Sequence, residues 1–178
     1  MKNIVIIGGT KGIGKAIVSE VVDNNNVVCL SRNQTDFSHD NYTFHNFDAL
    51  VDDYPDFESV DCLIYCPGSI NLKPISTLSL DDFRNDFELN VIGAVRAIKK
   101  YLNLLKKSGS ASILLFSTVA TKLGMPYHAS VSVAKSGIDG LVKTLGSELA
   151  PKVRINAIAP TITNTCLLYT SDAADDDR

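Results

Sequence analysis

The residues Asn3-Ile-Val-Ile-Ile-Gly-Gly-Thr-Lys-Gly-Ile-Gly14 join a short apolar run to a cluster of glycines. Residues 3–7 have the composition of a buried strand, and Ile13, Ile17 and Val21 then recur at the spacing of one helix face. Glycines between two such patterns indicate a tight turn. The stretch therefore predicts a strand, a turn and a helix in direct succession.

Each glycine of this turn has a distinct physical use. Gly8 permits the tight turn, Gly12 lets the backbone approach a pyrophosphate, and Gly14 lets the helix pack closely on the sheet. The free N–H groups at the start of the helix favour an anion there. Because the glycines follow a strand and open a helix, they predict dinucleotide binding. The alternative is a turn with a purely structural role.

Strand and helix patterns alternate along the rest of the chain. Further strands are predicted at 27–31, 42–47, 61–66, 111–117 and 153–158, and long helices at 79–108 and 130–150. Ser79 and Asp82 form an acidic variant of the capping box at the start of the first long helix. This alternation predicts an α/β fold with a parallel sheet covered on both faces. Ligands of such sheets bind beyond the carboxyl ends of the strands.

Composition and charge exclude several classes of protein. The chain has 178 residues, 45% of them hydrophobic, which suits one domain with a proper core. Its apolar runs are far shorter than the roughly 20 residues of a membrane-spanning helix, and no signal peptide is visible. We therefore expect a soluble, cytoplasmic protein that does not bind membranes. The absence of a basic stripe argues against nucleic acid as a partner.

The last thirteen residues, 166–178, resemble the read-through of a transposon-derived sequencing adapter. This resemblance predicts that native sequence ends near Thr165, and the alternative is a natural acidic tail. Without residues 166–178 the chain has 16 acidic and 16 basic residues, so the net charge of −3 indicates nothing about partners.

Cysteine and histidine residues do not predict a metal site. Four cysteines without a paired pattern predict no disulfide framework. Cys62 and Cys66 are four residues apart on a predicted strand and share one face, which favours a buried apolar role over a metal site. The three histidines are scattered, at positions 39, 45 and 128.

The residues after the second strand discriminate between the two nicotinamide cofactors. An acidic residue there would bind the ribose hydroxyls of NAD, whereas this chain has Ser31-Arg32. Arg32, with Lys11 in the glycine turn, can pair with a 2′-phosphate. NADP is therefore favoured and NAD remains possible, and the alternative for Arg32 is a solvated surface charge. Asp48, after the third strand, is either an acceptor for the adenine amino group or an ordinary surface aspartate.

Over residues 1–165 the chain resembles the short-chain dehydrogenase/reductase family. The resemblance rests on Gly8-x-x-x-Gly-x-Gly14, Asp48, Cys66-Pro-Gly68, Asn90 in Leu-Asn-Val-Ile-Gly93, Ser117-Thr118, Lys135, and Arg154-Ile-Asn-Ala-Ile-Ala-Pro160. It implies a single NAD(P)-binding Rossmann-type domain, doubly wound, which lacks the last strand and the substrate lid.

The resemblance also implies hydride transfer between nicotinamide and a carbonyl or alcohol substrate. By position, Asn90 would hold a proton-relay water, Thr118 would orient the substrate, and Lys135 would bind the nicotinamide ribose. The implied cofactor-binding residues are Gly8, Thr10, Lys11, Gly12, Ile13, Gly14, Ser31, Arg32, Asp48, Cys66, Gly68, Lys135 and Pro160. Relatives of this kind form dimers or tetramers through their long helices, so we expect a homodimer or homotetramer.

Four positions depart from the family pattern. Ile7 replaces a threonine, residues 65–68 replace Asn-Asn-Ala-Gly, and Thr161 replaces a glycine. The fourth departure changes the chemistry, because Val131 stands where the family has its catalytic tyrosine, four residues before Lys135. Valine donates no proton, and the loss of a general acid typically costs about 10²- to 10⁴-fold in rate.

Two nearby residues are candidates for a displaced acid. Tyr127 has the same chemistry as the missing tyrosine, and His128 has an unperturbed pKa near neutrality. His128 would share a face with Val131 and Lys135 only if the helix extended back by a turn. The alternative is that Tyr127 caps a loop and His128 is a surface residue. Two functions are therefore open: an NADP(H)-dependent oxidoreductase that uses a displaced acid or water, or a catalytically silent NADP(H)-binding protein that acts as a sensor or assembly partner.

Overall fold

The computed structural model describes residues 1–161 and 163. Six parallel strands form one sheet in the order β3-β2-β1-β4-β5-β6. The strands are β1 (Asn3–Ile7), β2 (Asn26–Ser31), β3 (Tyr42–Asn46), β4 (Cys62–Tyr65), β5 (Ala111–Phe116) and β6 (Val153–Ile158). The order reverses direction at β1, where the chain crosses to β4 after β3. This topology confirms the predicted Rossmann-type α/β fold.

Five α-helices are present in the described part of the chain. They are α1 (Gly12–Val21), α2 (Leu80–Phe87), α3 (Gly93–Lys107), the short α4 (Ala120–Leu123) and α5 (Ala129–Leu149). A 3-10 turn (Val22–Asn24) follows α1, and a π-helical segment (Glu88–Ile92) joins α2 to α3.

The sheet is buried on both faces. Ile4 and Ile6 of β1 pack with Val18 of α1 on one face. Val5 and Ile7 of the same strand belong to the larger core on the other face, which includes residues of α3 and α5. Since successive side chains of a strand point to opposite faces, an unbroken apolar strand is what this two-sided burial requires.

Capping residues set the ends of the long helical stretch. The Ser79 hydroxyl accepts a hydrogen bond from the Asp82 amide, and the Asp82 carboxylate accepts one from the Ser79 amide. The predicted capping box is therefore confirmed. Gly109, just after α3, has a φ of 76°, a left-handed conformation typical of a helix end.

The strand bounds agree with the sequence-based prediction to within one residue at each end, and the second long helix runs over Ala129–Leu149. The long helix predicted over 79–108 runs from Leu80 to Lys107, and the π-helical segment at 88–92 lies within it. The suspected adapter tail at 166–178 lies outside the described residues. Among residues 1–161 and 163, β6 has a strand neighbour on one side only.

Candidate functional site

The glycine turn lies at the carboxyl end of β1, near the reversal in strand order. Gly8 and Gly12 have φ values of 77° and 51°, which favour glycine. A Cβ atom on Gly14 would lie 2.2 Å from the carbonyl oxygen of Gly8. No side chain fits there, so the turn and the first residues of α1 can pack this closely only with glycine at 14.

A cleft of about 570 Å³ opens above this turn. Eleven of the thirteen predicted cofactor-binding residues line it, namely Gly8, Thr10, Lys11, Gly12, Ile13, Gly14, Ser31, Arg32, Asp48, Cys66 and Gly68. The structure adds Asn33, Phe47, Ala49, Leu50 and Leu89, among others. Lys135 and Pro160, the other two predicted residues, do not line this cleft. Its size and its glycine floor suit the dinucleotide that the turn predicts.

Polar contacts connect the turn to the ends of β2 and β3. The hydroxyls of Thr10 and Ser31 lie 2.8 Å apart. An Arg32 Nη1 atom lies 4.0 Å from a carboxylate oxygen of Asp48, and the Arg32 side chain is 72% exposed. The Asp48 carboxylate also accepts a hydrogen bond from the Leu50 amide at 2.9 Å. Arg32 is thus loosely held at the cleft and free to pair with an anion, since an exposed ion pair at this distance is weak.

Arg96 of α3, which was not among the predicted site residues, supports the loop that lines one side of the cleft. Its guanidinium donates hydrogen bonds to the carbonyl oxygens of Ala49 at 3.0 Å, Leu50, and Asp52 at 3.1 Å. It also lies over the ring of Tyr54, 5.9 Å from the centroid. This contact holds the loop after β3 in place. No local sequence signal could have revealed it, because the partners are more than forty residues apart.

Gly68 brings two of the predicted catalytic residues together. A Cβ on Gly68 would lie 3.2 Å from Asn90 Oδ1 and 3.4 Å from Lys135 Nζ. Lys135 is 9% exposed, and its ammonium donates a hydrogen bond to the carbonyl oxygen of Phe116 at 2.8 Å. Asn90 Oδ1 is buried and has no hydrogen-bond partner in the described part of the chain. A buried acceptor of this kind is suited to an added water or ligand hydroxyl.

Burial also determines the acidity of Lys135. Desolvation lowers its pKa from 10.5 to about 8, while Cys66 and Asp86 act in the opposite direction. Cys66 itself is buried, which raises its pKa to about 12, so its thiol is neutral where Lys135 titrates. Lys135 therefore changes charge in the mildly alkaline range.

A buried polar cluster, here called the Asp86 cluster, consists of Ser69, Asn71, Asp86 and Asn90. One Asp86 oxygen accepts hydrogen bonds from Ser69 Oγ at 2.5 Å and Asn71 Nδ2 at 3.1 Å. Asn90 Nδ2 donates to Ser69 Oγ at 3.1 Å and to the Asp86 carbonyl oxygen at 2.8 Å. Asp86 was not among the residues predicted from the sequence, although an acidic residue four positions before Asn90, on the same helix face, was a visible signal.

Thr118 and Pro160 lie in adjoining loops after β5 and β6. Thr118 is half-buried, and its Oγ1 accepts a hydrogen bond from the Ala120 amide at 3.3 Å. The Val119 amide donates to the Pro160 carbonyl oxygen at 3.1 Å. Neighbouring Ser117 is buried, and its hydroxyl lies 3.5 Å from the Lys135 carbonyl oxygen. These contacts place Thr118 beside the first turns of α5.

The position of the missing tyrosine is buried, since Val131 is 5% exposed. The condition set for His128 is not met, because α5 begins at Ala129 and does not extend back by a turn. The His128 ring hydrogen-bonds to the Pro126 carbonyl oxygen at 2.6 Å. Tyr127 is 53% exposed, with a φ of 64°. In the described structure, neither Tyr127 nor His128 forms a side-chain hydrogen bond with Asn90, Thr118 or Lys135.

The departure at residues 65–68 creates a contact of its own. The Tyr65 hydroxyl donates a hydrogen bond to the Leu89 carbonyl oxygen at 2.7 Å. The Gly93 amide bonds to the Glu88 carbonyl oxygen, in the π-helical pattern, instead of to Leu89. A Cβ on Gly93 would lie 2.1 Å from the Tyr65 hydroxyl oxygen. The π-helical segment that carries Asn90 is thus braced by a side chain from β4.

The sheet, the glycine turn and the Asn90–Lys135 pair agree with one known family. The family model described as short chain dehydrogenase matches residues 2–176. The chain belongs to the short-chain dehydrogenase family. Within that family it is similar to the 3alpha-hydroxysteroid dehydrogenase of Mediterraneibacter gnavus, with 26% identity over 92% of this chain and 74% of that protein. It is also similar to the 3-oxoacyl-[acyl-carrier-protein] reductase of Synechocystis, with 28% identity over 90% of this chain and 63% of that protein.

Solved structures show the same fold. ElxO with NADP bound is 26% identical, with a TM-score of 0.85 over 99% of this chain and 81% of that one. The ligand-free aldohexose dehydrogenase of Thermoplasma acidophilum has a TM-score of 0.88 at 23% identity. The match covers 98% of this chain and 71% of the aldohexose dehydrogenase chain. The chain thus spans 63% to 81% of the length of these four proteins.

Two further features are absent from the described residues. They contain no helix that is long and apolar enough to cross a bilayer. Residues 1–161 and 163 also contain no group of three or more His, Cys, Asp or Glu residues that could hold a metal ion.

Proposed function

We propose that this short-chain dehydrogenase is an NADP(H)-dependent oxidoreductase that transfers a hydride between nicotinamide and a carbonyl or alcohol substrate. The observation that carries the proposal is the position of Arg32. Its guanidinium lies at the cleft just beyond β2, where an NAD-specific site would have a carboxylate. The likeness to ElxO, solved with NADP bound, supports the same cofactor.

The residues of the cleft fit an NADP molecule. The glycine turn leaves room for a pyrophosphate above the N-terminus of α1, where Gly14 admits no side chain. Arg32 and Lys11 supply positive charge for a 2′-phosphate, and Asp48 offers a carboxylate oxygen to the adenine amino group. The bound cofactor would supply or accept the hydride.

Three residues have roles near the nicotinamide end in this proposal. Lys135 holds the ribose hydroxyls with its ammonium, and Thr118 orients the substrate oxygen. Asn90 directs its unpartnered Oδ1 toward the same space and binds a water there. The protonated form of Lys135 predominates below its pKa of about 8, so ribose binding is strongest there.

The chain supplies no proton donor at position 131, so the acid must come from elsewhere. A water held by Asn90 is one source, and Tyr127 or His128 is another if the loop before α5 moves. Without a fixed acid, the general-acid contribution of about 10²- to 10⁴-fold is absent. Reduction proceeds slowly on this account, because positioning by the cleft and by Lys135 remains.

A second candidate function is cofactor binding without turnover, as a sensor or an assembly partner. The observation that favours it is the pair formed by buried Val131 and exposed Tyr127, which leaves no side-chain acid hydrogen-bonded into the described site. Both candidates require the cofactor cleft, and they differ only in the chemistry that follows binding.

Calorimetry and a turnover assay separate these functions. We expect the purified protein to bind NADPH more tightly than NADH, and to oxidise NADPH slowly with at least one member of a panel of ketones and quinones. Binding without turnover on any substrate would favour the silent protein. No affinity for either cofactor would refute both functions.

The proposed assembly is a homodimer or homotetramer. Phe87 of α2 and Val133 of α5 are exposed, at 40% and 56%, and burying them against a second copy is favourable. Light scattering of the purified protein tests this expectation, and a monomer at micromolar concentration would contradict it.

A further inference from the structure

The carboxylate of Asp86 is the most completely buried acid near the candidate site. Asp86 is 0% exposed, and one of its oxygens, Oδ2, has no hydrogen-bond partner in the described structure. A buried carboxylate costs considerable free energy unless hydrogen bonds and a nearby positive charge offset the cost. Ser69 and Asn71 supply two hydrogen bonds, which leaves the question of what balances the charge.

Lys135, on the neighbouring helix α5, is the buried cation beside the Asp86 cluster, because a Cβ on Gly68 would lie 3.4 Å from its Nζ and 3.2 Å from Oδ1 of Asn90, a member of that cluster. Its ammonium is nearly as buried, and its only side-chain hydrogen bond to residues 1–161 and 163 goes to a neutral acceptor, the Phe116 carbonyl oxygen. Three groups bear on its charge: Asp86 from α2, Cys66 after β4, and that carbonyl. Because Cys66 is a neutral thiol in this pH range, Asp86 is the one anion among them. Asp139, one turn further along α5, is held by Thr121 and Lys122 instead.

We propose that Asp86 is a positioning residue of this site, an assignment that rests on the function proposed above. Through Ser69 it fixes the amide of Asn90 so that Oδ1 faces Gly68 and Lys135. Its carboxylate is also the buried counter-charge that keeps Lys135 an ammonium. Valine at 131 leaves Lys135 without the tyrosine partner of the family pattern, so Asp86 is the group that holds this lysine in its binding form.

The geometry supports each step of this chain of contacts. Ser69 Oγ donates to Asp86 and accepts from Asn90 Nδ2, so its single proton is committed to the carboxylate. Asn90 Nδ2 also donates to the Asp86 carbonyl oxygen one helical turn back. With both amide protons used, the amide oxygen of Asn90 has to point the other way, toward Gly68.

The test is a titration of Lys135 in the cofactor-free full chain. Carbon-13 labelling of lysine gives a Cε signal for each residue, and the signal that disappears in Lys135→Met identifies Lys135. We expect Asp86→Asn, which keeps the shape of the side chain, to lower the titration midpoint of Lys135 by at least about half a pH unit. The matched control is Asp81→Asn, which removes an exposed carboxylate from the same helix and leaves the midpoint unchanged.

Ser69→Ala keeps the test decisive if Asp86→Asn does not fold. Ser69→Ala removes the hydroxyl that links Asp86 to Asn90, so Asn90 Oδ1 is no longer held toward Lys135, and the Lys135 midpoint also falls, by less than in Asp86→Asn. NADPH affinity measured against pH should then decline at a lower pH than in the parent protein. The proposal would be overturned if the change in the Lys135 titration midpoint in Asp86→Asn and in Ser69→Ala were no larger than the change in Asp81→Asn. This readout needs no cofactor, so a failure of NADPH binding would count against the proposed function alone.

Discussion

The hydroxyls of Thr10 and Ser31 are 2.8 Å apart, which ties the glycine turn after β1 directly to the end of β2. The Gly8 amide also donates to the Leu30 carbonyl oxygen at 2.8 Å, and Asn46 Nδ2 donates to the Arg32 carbonyl oxygen at 2.8 Å. These three hydrogen bonds connect the glycine turn with Arg32, the residue that we propose selects the cofactor.

Replacing Arg32 with alanine should weaken NADPH binding about 10- to 100-fold and leave NADH binding nearly unchanged. A charge-assisted contact to a phosphate is worth about 1.5–3 kcal/mol, and only NADPH has the 2′-phosphate. Calorimetry with both cofactors checks this result. Arg84→Ala, which removes a similarly exposed arginine from α2, is the control and should change neither affinity. Equal losses for both cofactors would contradict the assigned role.

Replacing Val131 with tyrosine should increase the rate of NADPH oxidation by about 10²- to 10⁴-fold, because a phenol then stands four residues before Lys135. Steady-state rates on the best substrate of the panel measure the effect. Val133→Tyr places the same ring on the exposed side of α5 and should leave the rate unchanged. A fall in rate at Val131→Tyr would instead indicate that the site uses Tyr127 or His128 in a rearranged form.

Replacing Lys135 with methionine should stabilise the fold while weakening cofactor binding. The pKa of Lys135 is lowered to about 8 from 10.5, so folding disfavours the ammonium, and this cost is present below pH 8 and disappears as pH rises toward 10.5. Removing the buried ammonium should stabilise the fold by about 3 kcal/mol, and losing the hydrogen bond to Phe116 should offset about 1 to 2 kcal/mol of that gain. We expect a net gain of about 1–2 kcal/mol at pH 7, shrinking at pH 10, in denaturant unfolding. A loss of stability at both pH values would show that the buried charge is not costly.

Replacing Gly93 with alanine should destabilise the protein by about 2–3 kcal/mol, because the new methyl group would overlap the buried Tyr65 hydroxyl. Thermal unfolding measures the change. Gly140→Ala is the matched control, since Gly140 lies in α5 with open space around it, and alanine there should add about 0.5–1 kcal/mol. Adding Tyr65→Phe to Gly93→Ala should recover part of the loss. If Gly93→Ala changes the stability as Gly140→Ala does, the contact between position 93 and the Tyr65 hydroxyl is not tight.

The sequence predicted the sheet and the floor of the cleft because both depend on local patterns. The apolar run before Gly8, the helical spacing after Gly14 and the arginine after β2 can each be recognised within a few residues. The doubly wound sheet was implied by the family resemblance, and the two-sided burial followed from the apolar strands.

The rest of the site depends on contacts between distant residues, which no local pattern reports. The π-helical segment at 88–92 is braced by the hydroxyl of Tyr65, more than twenty residues earlier. Arg96 supports a loop that precedes it by more than forty residues. The position of His128 depended on where α5 begins, and the sequence allowed either outcome.

The contact between Tyr65 and Gly93 restricts the order in which mutations can be accepted. A lineage can first shrink the residue at 65 and only later enlarge the residue at 93, because the reverse order passes through an intermediate in which two groups occupy the same space. Homologues of this protein should therefore show a bulky residue at position 93 only where position 65 is no longer tyrosine.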